Sequence, residues 1–218
     1  MVLGIYGSGG LGREVLELAR CIQAVSDRWE KIVFIDDFAK ATITNGADVL
    51  SFSEFQGTYS ADAAEISIAI GEPIYRKSLS YKSIDAGYSL AVLVHPTIII
   101  PESTEINPGV TVCANSFVSP NAVLEINSYV QPHVQISHDC VLGKHSVVSP
   151  SASIAGNVII GECSYIGLGA IIKEQLKIGS WVIIGMGSVV FNDICNEAVA
   201  IGNPARVIKR NTERRVFK

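Results

Sequence analysis

The chain has 218 residues, 48% hydrophobic and 17% charged, with a formal net charge of −4. That balance suits one large or two modest ordered domains and excludes a disordered chain, and the lack of a long basic run argues against a nucleic-acid partner. No apolar run approaches the roughly eighteen residues of a membrane helix, while five cysteines without a CxxC pair and no signal-like start predict free thiols in the cytoplasm.

In chain order, Val2–Tyr6 reads as a short apolar strand, followed by Gly7-Ser-Gly-Gly-Leu-Gly12 and an amphipathic helix over 13–24. A second strand over 31–35 ends in Asp36-Asp37. A third, over 65–70, ends in Gly71 and leads to a helix over about 73–86; a last strand over 89–93 follows. Strand, glycine loop and helix make a small Rossmann-like βαβ domain, assigned to residues 1–92. Glycines let a phosphate approach the loop backbone, and an acid after the second strand can hydrogen-bond a sugar hydroxyl. Three readings stay open here: a nucleotide-sugar, a dinucleotide cofactor, or a tight turn without a ligand. Only about ninety residues are available, half of a full dinucleotide fold.

From Val94 to Val190 an Ile, Leu or Val occupies every sixth position, and the residue four places after each is small or apolar. A helix needs a period near 3.6 and a half-buried strand needs alternation. A pure period of six instead fits a short strand plus a turn. Three such hexads close a triangular coil of eighteen residues, and stacked coils bury an apolar column. Residues 93–218 are therefore assigned to a parallel β-solenoid of nearly six coils, on the order of 27 Å tall, with a short tail. That tail carries Arg206, Lys209, Arg210, Arg214, Arg215 and Lys218. It reads as a solvated end, with a nucleotide phosphate as the alternative.

A repeat alone would serve an inert rod, so function must come from single residues set on it. Histidine is scarce, and His133, His138 and His145 fall within thirteen positions. His138 takes the third place of its hexad, at a corner, with Asp139 beside it. A neutral imidazole oriented by a carboxylate is the group that acyl transfer to an amine or hydroxyl requires. The rival reading is a zinc site of the gamma-carbonic-anhydrase kind, using His133 and His138. It lacks a third ligand, because the positions eighteen and thirty-six before His133 are Asn115 and Thr97. A non-catalytic nucleotide-sugar-binding protein is the third possibility. Cys140, at an inward fifth place, reads as a small core residue.

The glycine loop, Asp36-Asp37, Ile68-Ala-Ile-Gly71, the hexads, Ser137-His-Asp-Cys-Val-Leu-Gly143, Ala155-Gly-Asn-Val-Ile-Ile-Gly161 and Gly202-Asn-Pro-Ala-Arg206 occur in one order. In this the chain resembles the bacterial hexapeptide-repeat sugar O- and N-acetyltransferases, the sialic acid and UDP-4-amino-sugar (NeuD/PglD-like) enzymes. The resemblance implies a left-handed parallel β-helix, a homotrimer with active sites between subunits, and acetyl-CoA as donor, with no metal. It implies His138 as general base, Asp139 as its orienting group and the Gly156 N–H as an oxyanion donor. Leu168, Met186, Asn203 and Pro204 would then line the donor groove together with Gly156. Gly9, Gly10, Leu11, Asp36, Asp37 and Gly71 would hold a nucleotide-sugar acceptor used in surface-glycan synthesis. Two positions depart from the family pattern: Val147 stands where relatives often have a donor-contacting His, and Leu11 where they often have a polar residue.

Overall fold

The computed structural model describes residues 1–217. Its first part comprises β1 (Val2–Tyr6), α1 (Gly10–Ser26), β2 (Lys31–Ile35), β3 (Ile43–Thr44), β4 (Ala47–Leu50), α2 (Phe52–Thr58), β5 (Ala64–Ile68), α3 (Pro73–Asp85) and β6 (Ser89–Leu90). The sheet order is β3-β4-β2-β1-β5-β6, with β1 parallel to β2 and to β5. The chain winds outward on one side of β1 and then returns to the other, which leaves a crevice beyond the carboxyl ends of these strands. α1 forms because Val15, Leu16, Leu18, Ala19 and Ile22 make one buried stripe at helical spacing.

Periodicity gave no expectation for residues 43–58, which fold as a hairpin and α2. Both have local chemical causes. Asn45-Gly46 places both turn residues at positive φ, as a two-residue hairpin needs. Ser51 and Glu54 form a reciprocal capping box that starts α2.

The second part is a left-handed parallel β-helix whose two-residue strands pair eighteen positions apart, as in Phe117↔Gln135, Val123↔Val141 and Tyr129↔Val147. Its three faces follow one another along the chain. A docking face begins with Leu93–Val94 and includes Tyr129–Val130 and Val147–Val148; a second face includes Gln135–Ile136 and Ser153–Ile154; a third includes Val141–Leu142 and Ile159–Ile160. Val112, Val130, Val148, Ile166 and Ile184 are all fully buried in the central column. Each such side chain contributes on the order of 1.5–3 kcal/mol by leaving water.

The period of six also governs the backbone. Gly109, Asn115, Asn121, Asn127, His133, Asp139, His145, Ser151, Asn157, Cys163, Gly169, Gln175, Trp181 and Gly187 are all left-handed, each in the fourth place of its hexad. Asn, Asp, His and Gly tolerate this region best, and no β-branched residue occupies it. The last coil is two residues shorter, with Ile184 pairing Ala200, and ends in an antiparallel hairpin of Ala198–Gly202 and Ala205–Arg210.

The first part covers the docking face. Leu93, Cys113, Tyr129 and Val147 share one buried cluster with Val15, Leu16 and Ala19 of α1. α3 lies along the corner between the third and docking faces, where the fourth-place residues Asn127, His145, Cys163 and Trp181 stack one coil apart. Arg76 of α3 is fully buried there. Its guanidinium donates to the carbonyl oxygens of Ile68 and Ile70 and to both the carbonyl and Oδ1 of Asn127. Asn127 in turn meets Nδ1 of His145 at 3.0 Å, and Lys77 pairs with Glu162.

Candidate functional site

His138 and Asp139 occupy the third and fourth places of a hexad at the corner between the second and third faces. The left-handed backbone of Asp139 turns its side chain beside its neighbour, which an extended strand would forbid. Asp139 Oδ2 lies 2.7 Å from His138 Nδ1. A carboxylate only accepts, so Nδ1 carries a proton, and in the neutral ring Nε2, on the Gly156 side, is the acceptor. The hydrogen bonds from His138 and then from Asn121 hold the Asp139 carboxyl below the usual carboxylate range.

Gly156 sits one coil above His138, with the imidazole ring against its Cα. A Cβ built there would lie 2.6 Å from the ring Cε1 and 2.7 Å from Nε2, so any larger residue displaces the ring. The Ala155 and Asn157 amides bond to carbonyl oxygens of Ile172 and His138, whereas the Gly156 N–H makes no such bond among the described residues. This corner therefore joins a proton acceptor and a free backbone donor.

Leu168 and Met186 stand at the corner between the docking and second faces, eighteen residues apart, and are 49% and 78% exposed. The exposed Asn203-Pro204 turn rises from the same corner, since Ile184 pairs with Ala200. Two exposed apolar side chains and a turn thus line one edge of the second face, and His138 with Gly156 lines its other edge.

In the first domain a cavity of about 440 Å³ opens at the crevice, lined by Tyr6, Gly7, Ile35, Asp36, Asp37, Phe38, Ile70, Tyr75, Ser78 and Leu79. Asp36 and Asp37 reach it, but both carboxylates already have protein partners. Asp36 Oδ2 accepts from the N–H and hydroxyl of Ser8, at 3.0 and 2.6 Å, which closes the glycine loop. Asp37 accepts from Tyr6 Oη, Lys82 Nζ and the Phe52 N–H. Burial raises the Asp37 pKa, yet these hydrogen bonds outweigh it and hold the group low. Tyr6 is pushed up to about 12, chiefly by burial.

The glycines divide by role. Gly12 meets the Gly7 carbonyl so closely that a Cβ would lie 2.0 Å from its oxygen, so it is needed for packing. Gly9 and Gly10 face open space at the start of α1, which has no side-chain cap. Gly71 and Leu11 lie side by side at the edge of this loop.

Several residues of the site were not anticipated. Phe38, Tyr75, Ser78 and Leu79 line the cavity only because the crossover brings β2 and α3 together. Asn121 was legible: it is one coil of eighteen before Asp139, and its Nδ2 donates to Asp139 Oδ1 at 3.0 Å. Val147 is fully buried beneath α1 and so is closed to any donor molecule in this chain.

The histidine cluster dissolves in three dimensions. His133, His138 and His145 stand at three different corners of the prism, His133 and His145 as left-handed turn residues. Among the described residues no three His, Cys, Asp or Glu side chains group as a metal site, and no helix is long and apolar enough to cross a membrane. Cys140 is buried, its thiol donating to the Ala155 carbonyl, and burial raises its pKa.

The PglD N-terminal domain family matches residues 2–82. The acetyltransferase domain of PglB from Neisseria gonorrhoeae FA1090, solved in complex with acetyl coenzyme A, is 32% identical over 95% of this chain and 98% of that chain, with a TM-score of 0.89. The chain belongs to the NeuD/PglD family of hexapeptide-repeat sugar acetyltransferases. WeeI from Acinetobacter baumannii AYE is also 32% identical, over 95% of this chain and 100% of that chain, at a TM-score of 0.80. PerB from Caulobacter crescentus, in complex with CoA and GDP-perosamine, is 26% identical over 96% and 98%, at a TM-score of 0.87. None of the curated proteins matches this sequence. As a member of this family the chain is an acyltransferase.

Proposed function

We propose that this acetyltransferase moves the acetyl group of acetyl-CoA onto the amine of a nucleotide-linked sugar, with His138 as general base. The observation that carries the reading is the Asp139–His138 pair set against Gly156. The acceptor amine attacks the thioester carbonyl, forming a C–N bond. His138 Nε2 takes the proton that the nitrogen loses, and Asp139 stabilises the resulting imidazolium. The Gly156 N–H donates to the carbonyl oxygen as it gains charge. The C–S bond then breaks, and the thiolate takes a proton to leave as CoA. No covalent enzyme intermediate is required, and the buried Cys140 thiol does not supply one. Acetyl-CoA as donor is supported by the PglB complex, and a nucleotide-sugar acceptor by the PerB complex.

Residues 1–92 serve in this reading as the acceptor domain and 93–218 as the transfer domain. Leu168, Met186, Asn203 and Pro204 would line the donor groove. Gly9, Gly10, Leu11, Asp36, Asp37 and Gly71 would hold the acceptor, with Gly9 and Gly10 giving its phosphates access to the uncapped start of α1. Prism geometry supports a site shared between subunits of a homotrimer. The acceptor domain covers the docking face, whereas His138 lies at the corner opposite that face, so in this reading a neighbouring chain would bring acceptor and base together. Phe117, Ile159 and Ile171 expose apolar surface on the second and third faces, as such a contact requires.

A panel of UDP-, GDP- and dTDP-linked amino sugars with acetyl-CoA, read by release of free thiol, tests the reading. Turnover of one acceptor that is lost in His138→Ala is expected; equal turnover in that variant would remove His138 as the base.

A further inference from the structure

The tail, described to residue 217, packs against the rest of the protein. It runs back over the junction of the two domains, held at four points. Arg214 pairs with Glu197 at 2.7 Å and lies 4.9 Å from the Trp181 ring centroid. The Glu72 carboxylate, only 5% exposed, accepts from the Val216 N–H at 2.9 and 3.1 Å and from the Phe217 N–H at 2.9 Å. The Phe217 ring meets Tyr165 edge-on at 5.5 Å. Arg215 lies over Tyr75 at 5.4 Å from the ring centroid.

These anchors bring the tail to the acceptor side of the first domain. Glu72 follows Gly71 directly, and a Cβ built on Gly71 would lie 3.7 Å from both Leu11 Cδ2 and Phe217 Cε2. Leu11 and Phe217 therefore form one apolar lip at the edge of the glycine loop, with half of the Phe217 ring still exposed. Tyr75, which carries Arg215, lines the 440 Å³ cavity. The charge balance there is uneven. Lys82 is committed to Asp37 and the other acids of the cavity are satisfied internally, while Arg215 lines the adjoining groove beside Glu213 and reaches the cavity wall through Tyr75.

We propose that residues Arg215 and Phe217 are part of the acceptor site, Phe217 as an apolar wall beside Leu11 and Arg215 as the cation that recognises the acceptor's diphosphate. This rests on the nucleotide-sugar reading above and adds to it a wall supplied by the opposite end of the chain. Burying the Glu72 carboxylate only to hold two tail amides is costly unless the tail must keep a fixed position, and a guanidinium fixed on an aromatic ring is pre-organised to meet phosphate oxygens. The adjoining groove, whose charged lining residues are Lys209, Arg210, Arg215 and Glu213, is the alternative site, for the phosphates of CoA, and the experiment separates the two.

Binding of UDP, GDP and dTDP, and separately of CoA, is measured by calorimetry on the full chain for wild type, Arg215→Ala, Arg215→Lys and Phe217→Ala. The expected result is that Arg215→Ala weakens the preferred nucleoside diphosphate about tenfold or more, that Arg215→Lys recovers part of the loss, and that Phe217→Ala weakens it less. CoA affinity and melting temperature stay unchanged for both Arg215 variants. Unchanged diphosphate binding in Arg215→Ala, or a loss confined to CoA, overturns this inference alone. A wild-type protein that binds none of the three diphosphates refutes the acceptor reading and the inference with it.

Discussion

Asn121 Nδ2 donates to Asp139 Oδ1 at 3.0 Å from one coil below, while Asp139 Oδ2 holds His138 at 2.7 Å. The eighteen-residue register makes this stack, because both residues are left-handed fourth-place corners. Asn121 thus fixes the carboxylate that holds the proposed base. Asn121→Ala should lower kcat about two- to tenfold at nearly constant KM for both substrates, read by steady-state thiol release. A change confined to KM would instead place Asn121 in substrate binding.

His138→Ala should lower kcat by about two to four orders of magnitude and leave CoA affinity within about twofold, because the proposed donor groove lies at the other edge of the second face. Asp139→Asn should fall between this variant and wild type, since Nδ1 loses the partner that fixes its tautomer. Calorimetric CoA titration beside the turnover assay checks both.

Gly156→Ala adds a methyl group 2.6 Å from the His138 ring. The ring is exposed and can swing away, so the fold should survive with a melting temperature within a few degrees. Turnover should fall by about a hundredfold or more, because the base leaves its position against the free N–H. A crystal structure of the variant should show the imidazole rotated; an unmoved ring with full activity would contradict the proposed site.

His145 is held neutral between the domains, its pKa lowered to about 4 by burial and then by Arg76, with Lys77 and Lys144 adding to the effect and Glu162 opposing it. In the unfolded chain it titrates near 6.5, so above that pH neither state binds the proton. As pH falls from about 6.5 towards 4 the unfolded chain gains a proton that the folded one refuses, and stability drops by up to about 3 kcal/mol. Urea unfolding at pH 7.5 and 4.5 should show this loss. His145→Gln should flatten the pH dependence in that window.

Arg76 joins β5, α3 and the solenoid through four hydrogen bonds to three residues. Arg76→Ala would leave the buried carbonyls of Ile68 and Asn127 without this donor, at a cost of about 1–3 kcal/mol each. The domains should then uncouple before the solenoid melts, visible in calorimetry as a second, lower transition; a single unshifted transition would refute this role.

The period of six was a reliable guide because one side-chain pattern repeats on identical coils, so neighbours at eighteen residues are fixed by counting. It placed Cys140 inside and His138 at a corner, and the same count leads to Asn121. The same count puts His138 in a third place and His133 and His145 in fourth places. What only the backbone adds is that those fourth places are left-handed. Residues 43–58 carry no apolar periodicity, and their hairpin and helix are set instead by turn and capping chemistry at Asn45-Gly46 and Ser51–Glu54.

By itself the sequence determined the βαβ opening, the coil length and the placing of an imidazole beside a carboxylate at one corner, since these depend on local pattern and on residue type. The tertiary structure alone decided which face the first domain covers, that Asp36 and Asp37 are committed to Ser8, Tyr6 and Lys82, and that the tail returns to Glu72 across an interval of 144 residues. Those outcomes depend on long-range packing and on competition among buried polar groups for partners, for which neither periodicity nor motif spacing carries a signal.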